Sequence, residues 1–106
     1  MKPVLIIVPP LALVLLLGAC DRTEPTPVPP EVLALGEEVF QRTAGGTGCQ
    51  ACHGTDARGN RGVAPNITGR SAGAIRGALN RVSQMRHITL NDEEIEAVAA
   101  YLRTLR

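Results

Sequence analysis

The 106-residue chain has no tryptophan, one phenylalanine (Phe40) and one tyrosine (Tyr101). A small domain with so few large rings has little apolar surface to set against chain entropy, and domains of this kind need a staple. No segment alternates apolar and polar residues over a strand's length, and no internal repeat is present, so the fold class reads as all-α. No acid–base pair or nucleophile stands out, which argues against catalysis. The formal net charge is +1, and no aromatic-plus-basic platform exists for nucleic acid.

There is one long apolar run, Val4 to Leu17. It is short for a bilayer span and carries Pro9-Pro10 near its middle, so it reads as the hydrophobic region of a secretory signal. Gly18-Ala19 directly before Cys20 resembles the bacterial lipobox, in which the cysteine is lipidated and begins the mature protein. The expectation is a signal peptide over 1–19, with Cys20 as the lipidation site. An ordinary signal ending in a chance cysteine, or an uncleaved anchor, are the other readings. Asp21 follows, a position where aspartate favours inner-membrane retention in enteric bacteria. Residues 20–30 then hold Pro25, Pro27, Pro29 and Pro30, a composition that favours extended polyproline II at about 3 Å per residue, a spacer of roughly 30 Å. The folded domain is expected over 31–106.

At the centre of that domain lies Cys49-Gln50-Ala51-Cys52-His53. Two cysteines two residues apart, followed at once by histidine, form the attachment signature of a c-type haem. Each thiol adds across one haem vinyl group, and a short helical turn spaces the two sulfurs to match. The adjoining His53 is delivered to one face of the ring as an axial ligand. A thioredoxin-like pair would follow a strand, whereas Thr43 to Gly48 reads as a loop. A structural zinc site would need a second ligand pair, and outside the motif there remain only His87 and Cys20. With Cys20 taking lipid and Cys49 and Cys52 taking haem, no cysteine is left for a disulfide. A buried porphyrin is also the staple that the ring-poor core calls for.

The spacing predicts a helix from Glu31 to about Arg42, with Val32, Leu35, Val39 and Phe40 inward. Gly54 to Gly69 reads as loop. Ser71 is placed to cap a short helix carrying Ile75, Leu79 and Val82 on one face. Asn91 and Glu94 make a capping-box pattern ahead of a last helix with Ile95, Val98, Leu102 and Leu105 buried. From about Leu35 onward the chain resembles a class I cytochrome c. In that family the first and last helices cross, a glycine and an aromatic on one meeting an aromatic and a leucine on the other. Gly36 and Phe40, then Tyr101 and Leu102, match those positions.

Met1 leaves with the signal, so Met85 is the one methionine available, and it precedes the last helix. The resemblance implies that Met85 is the second axial ligand, since the family's methionine ligand lies in that loop. Such a ligand closes the iron to small molecules and raises its potential, as electron transfer requires. Arg86 follows where many family members have proline. His87 offers a bis-His alternative, though a solvent-facing or capping role suits it better. The resemblance further implies that Pro65 presents its carbonyl to the other nitrogen of His53, and that Ile67 lies against the haem edge.

From Arg42 to Arg86 inclusive there are seven arginines and one acid, Asp56, while the flanking segments are acidic. Arginines near the haem edge can pair with propionates or steer the protein toward an acidic redox partner. The expected protein is a periplasmic, membrane-tethered monohaem cytochrome that shuttles single electrons. A fixed subunit of a dehydrogenase or reductase, and a haem sensor or peroxidase with an open sixth site, are the alternatives.

Overall fold

A computed structural model describes residues 3–4 and 26–105. Most of the expected signal peptide and of the apolar run, and the expected lipidation site Cys20, lie outside the described residues. Among the described residues no helix is long and apolar enough to cross a membrane.

The described residues are all-α. Helix α1 (Pro30–Glu38) begins on a proline, which fits the first turn because its missing N–H would have no partner there. It runs directly into a π-helical turn, Val39–Thr43, and then a 3₁₀ turn, Ala44–Gly46. The cysteine motif forms the short helix α2 (Gln50–His53). A loop leads to α3 (Ala72–Arg81), and a 3₁₀ turn, Ser83–Met85, leads to α4 (Asp92–Thr104).

Local chemistry sets the helix starts. The Ser71 hydroxyl accepts from the Ala74 N–H at 3.1 Å, opening α3. At α4 the capping box is complete: Asn91 Oδ1 accepts from Glu94 N–H at 2.8 Å, and Glu94 Oε1 accepts from Asn91 N–H at 3.0 Å. Asp92, Glu93 and Glu94 occupy the first turn, where the helix dipole favours negative charge.

The core forms where α1 and its π turn cross α4. Its largest fully buried side chains are Phe40, Leu102, Val39 and Val98. A Cβ at Gly36 would collide with the Ala97 carbonyl oxygen and come within 2.9 Å of Tyr101 Cβ, so only glycine permits this approach. One turn on, the Phe40 and Tyr101 rings meet with centroids 5.5 Å apart and planes tilted by 48°. Ala97, Ala99 and Ala100 are buried beside the expected Ile95, Val98 and Leu102, so α4 buries a small-residue face as well as an aliphatic one.

Two expectations change. Val82 is not on the buried face of α3; it follows the helix end, with extended backbone, and is 40% exposed. Its N–H still bonds to the Ala78 carbonyl, but its ψ of 115° turns the chain away from the helix axis. Leu105 likewise follows α4 and is half-buried.

Candidate functional site

The cysteine motif is seated on the end of the first helix. Gln50 Nε2 donates at 2.8 Å to the carbonyl of Gln41, which lies within the π turn. Gly48, at φ +84°, lies so close to Gln41 and the Phe40 carbonyl that no side chain fits there. The turn then closes through His53 N–H to the Cys49 carbonyl at 3.0 Å and Gly54 N–H to the Gln50 carbonyl at 3.0 Å.

The two thiols differ in setting. Cys49 is half-buried against the core, and burial pushes its thiol up to about 11. That position suits an uncharged sulfur, whether thiol or thioether. Cys52 is exposed, and both cysteines are free of disulfide.

His53 is 6% exposed, the one buried polar side chain among the described residues. Its Nδ1 lies 2.8 Å from the Pro65 carbonyl oxygen. With Nδ1–H donating there, the lone pair of the neutral ring stands on Nε2, the tautomer that a metal ligand requires. The loop that brings Pro65 into place is tightly tied. Gly59 N–H bonds to the His53 carbonyl at 2.8 Å, Ile67 N–H to the Ala57 carbonyl at 2.8 Å, and Gly69 N–H to the Leu102 carbonyl of α4 at 3.1 Å. A Cβ on Gly59, at φ +96°, would come within 2.8 Å of the Ala64, Pro65 and Asn66 backbone. Ala57 is fully buried and holds φ +61°, a left-handed conformation unusual for a residue with a side chain.

Met85 stands on a different element, the 3₁₀ turn after α3, and is half-buried. Its carbonyl accepts from the Ile88 N–H at 3.0 Å, closing a turn over Arg86 and His87. His87 is exposed, and its ring faces Gly45. Ile67, Ile75, Ile88 and Leu90 pack half-buried against the core, and Leu79 is also half-buried. This aliphatic set suits the faces of a flat apolar ring.

The arginines flank these elements. Arg58 and Arg61 line an open cleft of about 470 Å³ together with Pro65 and Asn66. Arg76 and Arg86 line a second of about 320 Å³ beside Ile88 and Asp92. Among the described residues three arginines pair with acids: Arg42 with Glu38, Arg58 with Asp56 at 3.9 Å, and Arg76 with Asp92 at 3.0 Å. All three pairs are exposed and add little stability.

Gln50, Gly48, Gly59 and Ala57 do not stand out in the sequence as parts of the site. Gly48 and Gly59 carried one signal, being glycines beside a motif. Gln50 and Ala57 carried none, since their roles depend on contacts the loop creates.

A cysteine pair adjoining a buried, oriented histidine, in an all-α fold whose first and last helices touch, defines a cytochrome c domain carrying covalently bound haem c. Residues 31–102 match the family described as Cytochrome C oxidase, cbb3-type, subunit III, and the chain belongs to that family. No curated protein and no solved structure matches the chain. The domain's work is electron transfer with redox partners, typically as a carrier rather than an enzyme. Bacterial c-type cytochromes lie outside the cytoplasm.

Proposed function

We propose that the protein is a membrane-tethered monohaem cytochrome c that relays single electrons, with Cys49 and Cys52 attaching the haem and His53 and Met85 holding the iron. The observation that carries this reading is His53: buried, with Nδ1 committed to the Pro65 carbonyl at 2.8 Å and its other nitrogen left for a metal. Haem c supplies a reversible one-electron iron couple. The chain's residues orient and shield it. Pro65 fixes the histidine tautomer and raises its basicity. Gln50 holds the motif on the first helix, and the half-buried Ile67, Ile75 and Leu79 exclude water. His87 is exposed against Gly45, whereas Met85 is half-buried, which supports methionine over bis-His ligation.

Arg58 and Arg61 beside Pro65, and Arg86 beside Met85, offer positive charge on both sides of the site to an acidic partner surface. The domain division is 1–19 signal, 20–30 lipidated Cys20 with a proline-rich spacer, and 31–106 cytochrome. The anchor holds the domain on the periplasmic face, with Asp21 favouring the inner membrane. A second reading, a fixed subunit of a larger redox enzyme, is favoured by the family's description as an oxidase subunit.

Fractionation and mild detergent extraction test both features. Cys20→Ser should release the domain to the soluble fraction; a variant that stays membrane-bound refutes the lipid anchor. Extraction as a free haem protein fits the shuttle, and stoichiometric co-purification with a large enzyme fits the subunit.

A further inference from the structure

We infer that His87, packed across Gly45, is a positioning residue that holds the Met85 segment against the loop preceding the cysteine motif. The inference rests on the reading of Met85 as an iron ligand. It is carried by one contact between distant parts of the chain. Gly45 lies in the 3₁₀ turn between the first helix and α2, at φ +61°. A Cβ there would stand 2.8 Å from His87 Nε2, 3.1 Å from His87 Cδ2 and 2.9 Å from Ile88 Cγ1. Two consecutive residues of the methionine segment therefore rest on the bare face of one glycine.

Local bonds transmit that contact. Ile88 N–H donates to the Met85 carbonyl at 3.0 Å, and Met85 N–H donates to the Val82 carbonyl at 3.0 Å. Met85 thus sits inside a short hydrogen-bonded turn whose far end is pinned at Gly45. Beyond it, Ile88 and Leu90 pack half-buried against the core, whereas Ser83, Gln84, Arg86 and Thr89 are exposed. On the other side of the contact, the Ala44 carbonyl accepts from Gly48 N–H at 2.8 Å and Ala44 is buried, so Gly45 is a firm seat. The neighbouring glycine differs. Gly46 also has positive φ, at +86°, yet a Cβ there meets nothing within 4 Å. Backbone geometry alone accounts for Gly46; at Gly45 the space is taken by His87 and Ile88.

An unpinned segment opens more often, and an external ligand reaches the iron in proportion to the open fraction. The test uses the haem-loaded protein, titrating the ferric form with imidazole and recording the far-red iron–thioether charge-transfer band and the midpoint potential. Gly45→Ala and His87→Ala should raise apparent imidazole affinity on the order of tenfold and weaken the band. Gly46→Ala, which also places a side chain at positive φ but without the contact, should match wild type. His87→Phe, which keeps a flat ring over Gly45, should restore wild-type affinity.

Wild-type affinity and band in Gly45→Ala and His87→Ala, with the band lost in Met85→Ala, overturn the clamp and leave Met85 ligation standing. Equal effects of Gly45→Ala and Gly46→Ala, or failure of His87→Phe to restore affinity, also overturn it. A wild-type protein without the band, unaltered by Met85→Ala, overturns the ligand reading and the clamp with it.

Discussion

His53 Nδ1 and the Pro65 carbonyl oxygen are 2.8 Å apart, joined across a loop that Gly59 keeps narrow. Donation to that carbonyl increases electron density on the ring, so the ligating nitrogen becomes a better donor and stabilises the oxidised iron. A Cβ at Gly59 would press on the Pro65 backbone and move the carbonyl. Gly59→Ala is therefore expected to raise the midpoint potential by roughly 10–30 mV, less than the 59 mV of a tenfold one-electron shift. Redox titration of the loaded protein checks this; an unchanged or lowered potential counts against the role given to Pro65.

Gly36 faces Ala97 and Tyr101 where the first and last helices cross. Alanine is ordinarily favoured over glycine within a helix by about 1 kcal/mol. Here the added methyl meets a backbone oxygen that cannot yield, and Gly36→Ala should destabilise the fold by about 2–3 kcal/mol. Guanidinium denaturation followed by far-UV circular dichroism measures it. A neutral or stabilised variant would show that the helices do not approach this closely.

The features that the sequence displays are those written in short spacing. The cysteine motif, the Asn91–Glu94 box and the Ser71 cap each depend on residues within four positions, and each forms as expected. Gly36 was legible through the resemblance, which places a glycine against the last helix, though its contact with Ala97 was not. Four features were not legible. The π turn at Val39–Thr43 departs from the helical period, and the Gln50 bond reaches a carbonyl nine residues back. The left-handed Ala57 is set by a loop closed from both ends, and Val82 fell off the helix because α3 stops at Arg81. Each of these follows from chain reversal, which periodicity does not encode.

Gln50 is one of the two internal residues of the motif, with Ala51, that its chemistry leaves unassigned. Gln50→Ala removes the donor to the Gln41 carbonyl and should cost about 1 kcal/mol. The part-buried carbonyl then needs water, so hydrogen exchange over 39–53 should quicken. Exchange rates identical to wild type would contradict a tie between motif and helix.

The capping box offers a calibrated check on α4. Asn91→Ala should lower stability by about 1 kcal/mol, and Asn91→Asp should lose little. The same denaturation experiment reads both. A loss of similar size in Asn91→Asp would indicate that the residue acts through something other than its side-chain oxygen.

The most direct test of the account is exposure of the reduced protein to carbon monoxide, in wild type and in Met85→Ala. With His53 and Met85 both on the iron, the wild-type spectrum should hold unchanged at neutral pH, while Met85→Ala should bind carbon monoxide readily. Ready binding by the wild type, with Met85→Ala giving the same spectrum, would contradict a six-coordinate electron relay.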